Sequence, residues 1–254
     1  MQLVALVTGG SSGIGFAIVE AFLAAGYRVA ATGRSKDRLL AAFGDRVLCI
    51  EADATEPTLF SDVIATVVST YGSLDVLVNN AGGATFGSRL ESTTLESWDS
   101  TFNLNARSTF FMMQAARSAL IQSRGSIINF SSVLASRPAA GLGPYSAAKA
   151  AVDMLTQTAA LELAPHGVRV NCVAPATIQT GFHEAAGMSP QAAAAYYEAS
   201  ASTHPVGRVG VPADVAAAVL FLADSSKSGF ITGTTVQIDG GRLLTSAVPA
   251  LGSR

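Results

Sequence analysis

The feature that most constrains this chain is a repeated alternation of short apolar or β-branched runs with longer helix-like stretches. The runs are "LVALV" (3–7), "RVAAT" (28–32), "RVLCIE" (46–51), "LDVLVN" (74–79), "GSIINF" (125–130) and "VRVNCV" (168–173), with a last one expected at "TVQID" (235–239). Their apolar character is nearly continuous, which is the pattern of strands covered on both faces. Repeated strand–helix–strand units of that kind build an α/β fold, a doubly wound parallel sheet with helices on either side. A chain of 254 residues fits one such domain, so residues 1–254 are expected to form a single unit. In these sheets ligands bind beyond the carboxyl ends of the strands, so residues just after each run are where function is sought.

Composition narrows the partners. Hydrophobic residues make up 49% of the chain against 13% charged, enough to fill a large core, and no polar or like-charge run marks a linker. A net charge of −2 gives no footprint for nucleic acid or an anionic membrane, so small molecules are the expected ligands. Residues 1–19 carry no charge, but Lys and Arg are missing at the start and "TGGSSG" interrupts the apolar run, so a cytoplasmic protein is expected rather than a secreted one. Cys49 and Cys172 lie apart in strand-like runs and read as buried apolar residues. His166, His183 and His204 have no partner at ligand spacing, and no metal centre is expected.

"TGGSSGIG" (8–15) directly follows the first run and precedes the helix-like "FAIVEAFLAAG". That context suits a dinucleotide-binding turn: Gly9 can turn sharply, Gly13 lets the backbone approach a pyrophosphate, and Gly15 lets the helix sit against the strand. An ordinary glycine-rich loop is the plainer reading. "GPYSAAKAAV" (143–152) sets Tyr145 and Lys149 four residues apart, and Lys149 is one of only three lysines. Pro144 suits a helix start, Pro165 lies near its end, and Ala148, Val152, Leu155, Ala159 and Leu163 recur on one face. Tyr145 and Lys149 are therefore neighbours, and an ammonium beside the phenol is expected to favour the phenolate. The plainer reading is an incidental surface pair.

Together with "NNAG" (79–82), "NFSSV" around Ser132, "YSAAK" (145–149), "NCVAPATIQT" (171–180), "PVGRVGVPADVA" (205–216) and "IDGG" (238–241), these motifs make the chain resemble the short-chain dehydrogenase/reductase family over nearly its whole length. The resemblance implies a Rossmann-like sheet of seven strands in the order 3-2-1-4-5-6-7, a nicotinamide dinucleotide, and interconversion of a carbonyl and a secondary alcohol. It implies that Tyr145 is the general acid/base, Lys149 its partner on the nicotinamide ribose, Ser132 the group orienting the carbonyl, and Asn105 the support of a proton relay. Ser131 competes with Ser132, and the thirteen-residue spacing to Tyr145 favours Ser132. Asn105 could instead end the helix around Trp98, and Asp53 could cap a loop rather than meet the adenine.

On the cofactor side the resemblance brings in Gly9, Ser11, Ser12, Gly13, Ile14 and Gly15 of the turn, and Asp53 with Ala54. It adds Asn79, Ala81 and Gly82 beside the adenine ribose, and Pro175, Ile178 and Thr180 at the nicotinamide end. Gly33 stands where an acid selecting an unphosphorylated ribose would be, and Arg34 follows, with Lys36 and Arg38 near. A guanidinium can grip a 2′-phosphate, so NADP(H) is favoured over NAD(H), the alternative being an Arg34 that only stacks on adenine. Ala176 stands where the family usually has glycine. Residues 181–205 are expected to form a mobile substrate lid. Phe182, Met188, Tyr196 and Tyr197 with Leu134 and Leu142 suggest an apolar pocket without a carboxylate-binding arginine, or else core and subunit contacts. A homotetramer is expected by analogy. A nucleotide-sensing protein without chemistry is the rival function; a nucleotide-sugar epimerase or dehydratase would need a longer substrate region.

Overall fold

In the computed structural model, which describes residues 2–245, seven strands form one sheet. They are β1 (Val4–Thr8), β2 (Arg28–Gly33), β3 (Leu48–Glu51), β4 (Val76–Asn79), β5 (Ser126–Phe130), β6 (Arg169–Pro175) and β7 (Thr235–Ile238). Every neighbouring pair is parallel and the order is β3-β2-β1-β4-β5-β6-β7, as expected. The chain therefore changes winding direction between β1 and β4, and the crevice of such a sheet opens at that point.

The helices are α1 (Gly13–Ala24), α2 (Lys36–Phe43), α3 (Phe60–Tyr71), α4 (Leu95–Phe102), α5 (Ser108–Ser123), α6 (Gly143–Leu163), α7 (Phe182–Ala185), α8 (Pro190–Ala201), α9 (Pro212–Ala223) and α10 (Ser225–Ser228). Side chains alternate across a strand. Ala5 and Val7 of β1 accordingly join one core with Ile18, Val19 and Phe22 of α1 and Val215, Val219 and Leu222 of α9. Val4 and Leu6 join the other, with Phe60 and Val67 of α3, Met112 and Leu120 of α5 and Leu163 of α6. Both faces being covered, the strands are apolar at most positions, and buried polar side chains such as Asn79 and Asn129 are hydrogen-bonded. The helix-like stretch around Trp98 does not end at Asn105: α4 and α5 are joined by a π-helical segment, Asn103–Arg107, that carries Asn105 inside a continuous helix.

A buried polar chain fixes the site end of the sheet. Asn79 Nδ2 donates to Asn129 Oδ1 at 2.8 Å, Asn129 Nδ2 donates to Thr156 Oγ1 at 2.9 Å, and Thr156 Oγ1 donates to the Val152 carbonyl at 2.8 Å. β4, β5 and α6 are thus tied by side chains exposed by no more than 4%. Asn129→Ala orphans the Asn79 amide and should cost about 1–3 kcal/mol. The check is urea unfolding: a lower midpoint at unchanged slope is expected, and an unmoved midpoint would show that water replaces the missing amide.

Candidate active site

The turn after β1 is built by close backbone approach. Gly9 and Gly13 have φ of +66° and +56°, and a Cβ on Gly15 would lie 2.2 Å from the Gly9 carbonyl oxygen. Asn80 Nδ2 donates to the Thr8 and Gly9 carbonyls at 2.8 and 3.1 Å, and the Ala81 N–H donates to Thr8 Oγ1 at 3.0 Å. The turn is thereby fastened to the chain leaving β4. Ser12 precedes α1 without a side-chain cap, and the first turn of α1 has no acidic residue. Its N–H groups stand at the positive helix end with no carboxylate before them, a donor set that fits a pyrophosphate. A Cβ on Gly13 would sit 3.5 Å from Thr180 Cβ, so Thr180 faces this cradle.

Ala54, Asn79 and Ala81, apart in sequence, line one cavity with Thr8 and Thr32. Asp53 accepts from the Thr55 N–H and hydroxyl, both at 2.8 Å, and these bonds, the backbone one first, hold its pKa below the usual carboxylate value. One of its oxygens is thus spent on the loop. Arg34 is exposed and forms no side-chain hydrogen bond or ion pair among the described residues. A Cβ on Gly33 would lie 3.7 Å from Ser11 Oγ, so the end of β2 opens onto the glycine turn. The N-terminus of α2 is already occupied, Ser35 Oγ accepting from the Arg38 N–H at 3.3 Å and Glu51 Oε2 from the Lys36 N–H at 3.1 Å.

Lys149 is 4% exposed and its Nζ donates to the Phe130 carbonyl at 2.7 Å, 5.7 Å from the centre of the Tyr145 ring. A Cβ on Gly82 would meet Asn105 Oδ1 at 2.9 Å and Lys149 Nζ at 3.2 Å, so the loop after β4 converges on both. Asn105, fully buried, donates through Nδ2 to the Gly83 and Thr101 carbonyls at 2.9 and 2.8 Å and accepts from the Gly83 N–H at 3.2 Å. The two serines separate. Ser131 Oγ donates to the Lys149 carbonyl at 3.1 Å, whereas Ser132 Oγ accepts from the Leu134 N–H at 3.2 Å and faces the Tyr145 phenol, whose pKa it lowers.

Burial sets the electrostatics. It pushes the Tyr145 phenol up to about 12, the Ser132 hydrogen bond pulling the other way, and it pushes the Lys149 ammonium down to about 8. The expected pull of the ammonium toward the phenolate is not what sets the phenol: desolvation is the largest influence, opposed by Ser132, and the shift is upward.

The aromatic residues of 181–205 divide in two. Phe182 lies with its ring centre 6.4 Å from that of Tyr145. Tyr197 is buried: its hydroxyl donates to the Thr180 carbonyl at 2.5 Å and accepts from the Thr180 N–H at 3.3 Å. Its one proton being used, His183 Nδ1, at 2.8 Å, must donate to it. His183, assigned nothing from sequence, is thus a buried anchor, stacked on Phe86 at 5.7 Å. The sequence reading also passed over Asn80, although it lies within the quoted "NNAG". Ile178 pairs with Gly210 through the flanking Thr177 carbonyl and Gln179 N–H, which turns its own amide away from Gly210.

Known proteins resemble this chain over nearly its whole length. A family model described as enoyl-(acyl carrier protein) reductase matches residues 9–242. The 3-oxoacyl-[acyl-carrier-protein] reductase FabG of Thermotoga maritima is 38% identical over 248 residues, 95% of this chain and 98% of that one. A short-chain dehydrogenase/reductase of unknown function from Caenorhabditis elegans, solved with cofactor, superposes with a TM-score of 0.91 at 34% identity over 96% of each chain. ElxO with NADP bound superposes with a TM-score of 0.88 at 32% identity, over 96% of this chain and all of that one. The chain belongs to the short-chain dehydrogenase/reductase family and is an oxidoreductase that works with a nicotinamide dinucleotide.

Proposed function

We propose that this protein interconverts a carbonyl and a secondary alcohol, with NADP(H) as its preferred cofactor. The observation that carries the reading is the meeting of Ser132, Tyr145, Lys149 and Asn105 beside the Gly82 loop, next to a glycine turn suited to a pyrophosphate. When bound, the dinucleotide supplies or takes up the hydride. Ser132 hydrogen-bonds the substrate oxygen, and Tyr145, kept protonated by burial, gives its proton as that oxygen becomes an alkoxide. Lys149, held by the Phe130 carbonyl, positions the nicotinamide ribose. Asn105 holds the Gly83 backbone and, in the π segment, supports the relay that returns the proton to Tyr145.

Gly9, Ser11, Ser12, Gly13, Ile14 and Gly15 take the pyrophosphate with Thr180. Asp53, Ala54, Asn79, Ala81 and Gly82 take the adenosine half, and Pro175 and Ile178 border the nicotinamide. Arg34 grips the 2′-phosphate, a reading supported by its exposure, by Gly33 before it and by the NADP-bound relative. Residues 181–205 act as the lid of a single-domain enzyme, and exposed Phe110 and Met154 on α5 and α6 support assembly into a homotetramer. A nucleotide sensor is the alternative if no carbonyl consumes the cofactor.

Tyr145→Phe should lower kcat by about 10²–10⁴-fold, and Ser132→Ala by on the order of 10²-fold, with a panel of ketones and aldehydes as substrates. Full activity in Tyr145→Phe would remove the assigned acid. In fluorescence titrations NADPH should bind more tightly than NADH, and Arg34→Asp should reverse the order; tighter NADH binding by the native chain would make Arg34 a bystander.

A further inference from the structure

Two arginines 105 residues apart meet at the carboxyl edge of the sheet. Arg137 lies in the loop after β5, a few residues beyond Ser132, and Arg242 opens the short turn Arg242–Leu244 after β7. Arg137 Nη1 donates to the Arg242 carbonyl at 2.6 Å, so the loops clasp across the end of β6, the strand between them.

Each guanidinium has five N–H donors. Among the described residues these find two acceptors, the Arg242 carbonyl and, from Arg242 Nη1, Thr245 Oγ1 at 3.4 Å. Neither joins a salt bridge there. Asp239, the nearest acid in sequence to Arg242, gives Oδ1 to the Gly241 N–H at 2.9 Å and Oδ2 to the Leu243 N–H at 2.8 Å. Residues 246–254 contain no Asp or Glu. Burial and then the Arg137 charge hold the Arg242 pKa below its usual value, Tyr196 acting the other way. The Arg137 guanidinium reaches the Arg242 carbonyl, Thr245 Oγ1 donates to that same carbonyl at 3.0 Å, and the Arg242 guanidinium reaches Thr245 Oγ1, so both partly buried cations border one short polar path. Among the described residues they have donors to spare and no carboxylate, an arrangement that an oxyanion relieves.

The pair also stands in line with the reacting groups. A run of aromatic rings leads from Tyr145 to Phe182 (6.4 Å between ring centres), to His183 (5.6 Å) and to Tyr196 (4.6 Å), and Tyr196 is the phenol whose charge acts on Arg242.

We propose that Arg137 and Arg242 form an anion subsite that holds a carboxylate or phosphate of the substrate at the end of the cleft away from Tyr145. This rests on the carbonyl-reduction reading above, and it replaces the expectation of a pocket without a carboxylate-binding arginine. Forked N–H groups suit either oxyanion.

Calorimetric titration of succinate and of inorganic phosphate into the native chain and an Arg137→Gln/Arg242→Gln variant tests the site itself. Any phosphate held at Arg34 is common to both. At least one anion should bind the native chain about 10-fold or more tightly than the variant. Arg137→Lys/Arg242→Lys, which keeps the charges, should recover part of the binding and guards against a lost fold. Equal binding by the native chain and the Gln variant overturns the subsite, whatever the turnover. Its role toward substrate is read from kcat/KM for levulinate against methyl levulinate, and for dihydroxyacetone phosphate against dihydroxyacetone. The charged member of at least one pair should be favoured by about 10-fold or more, and the Gln variant should lose the preference. Turnover with no preference overturns the substrate role. Anion binding that depends on the arginines, with no ketone reduced, keeps the site and sinks the reductase reading.

Discussion

The burial of Lys149 is the constraint around which the rest of this site is arranged. A lysine ammonium leaves water only when acceptors are supplied, and among the described residues one protein acceptor, the Phe130 carbonyl at the end of β5, receives it at 2.7 Å. Burial outweighs Cys172 and Asp153, which lean the other way, and pulls its pKa down to about 8. The strand end must therefore be held still beneath it. Ser131 does part of this through the Lys149 carbonyl, and the Asn79–Asn129–Thr156 chain does the rest one layer deeper.

Tyr145 is four residues before Lys149 on α6, so the dry surroundings that destabilise one charge destabilise the other. The phenol stays protonated and the ammonium is only weakly favoured, which leaves the pair poised as a neutral phenol beside a weakly held ammonium rather than as a phenolate held by a cation. The glycines serve the same compactness. At Gly82 a side chain would intrude between Asn105 and Lys149, and at Gly15 it would collide with the Gly9 carbonyl of the turn after β1.

The strands were legible because parallel strands with helices on both faces are apolar at most positions; β1 through β6 lie where their runs stand. The glycine turn was legible because a positive φ and a backbone contact of 2.2 Å leave room for no other residue at Gly9 and Gly15. The choice between Ser131 and Ser132 was less so, since both are buried and only the direction of each hydroxyl separates them. The π segment at Asn105 depends on packing against the Gly83 loop, which no local spacing encodes. The arginine clasp joins two loops through a backbone carbonyl, and neither loop names the other in sequence.

The central claim is that desolvation, and not the lysine, governs the Tyr145 phenol. Ultraviolet difference titration of tyrosinate, native chain minus Tyr145→Phe, without cofactor, tests it directly. A raised pKa means the neutral form persists to higher pH, so the difference signal should stay flat from pH 7 through pH 10, the ordinary range in which a free phenol ionises at about 10, and rise only toward 12. A tyrosinate present in the native chain and absent from the variant below about pH 9 would contradict the account, because the ammonium would then outweigh burial.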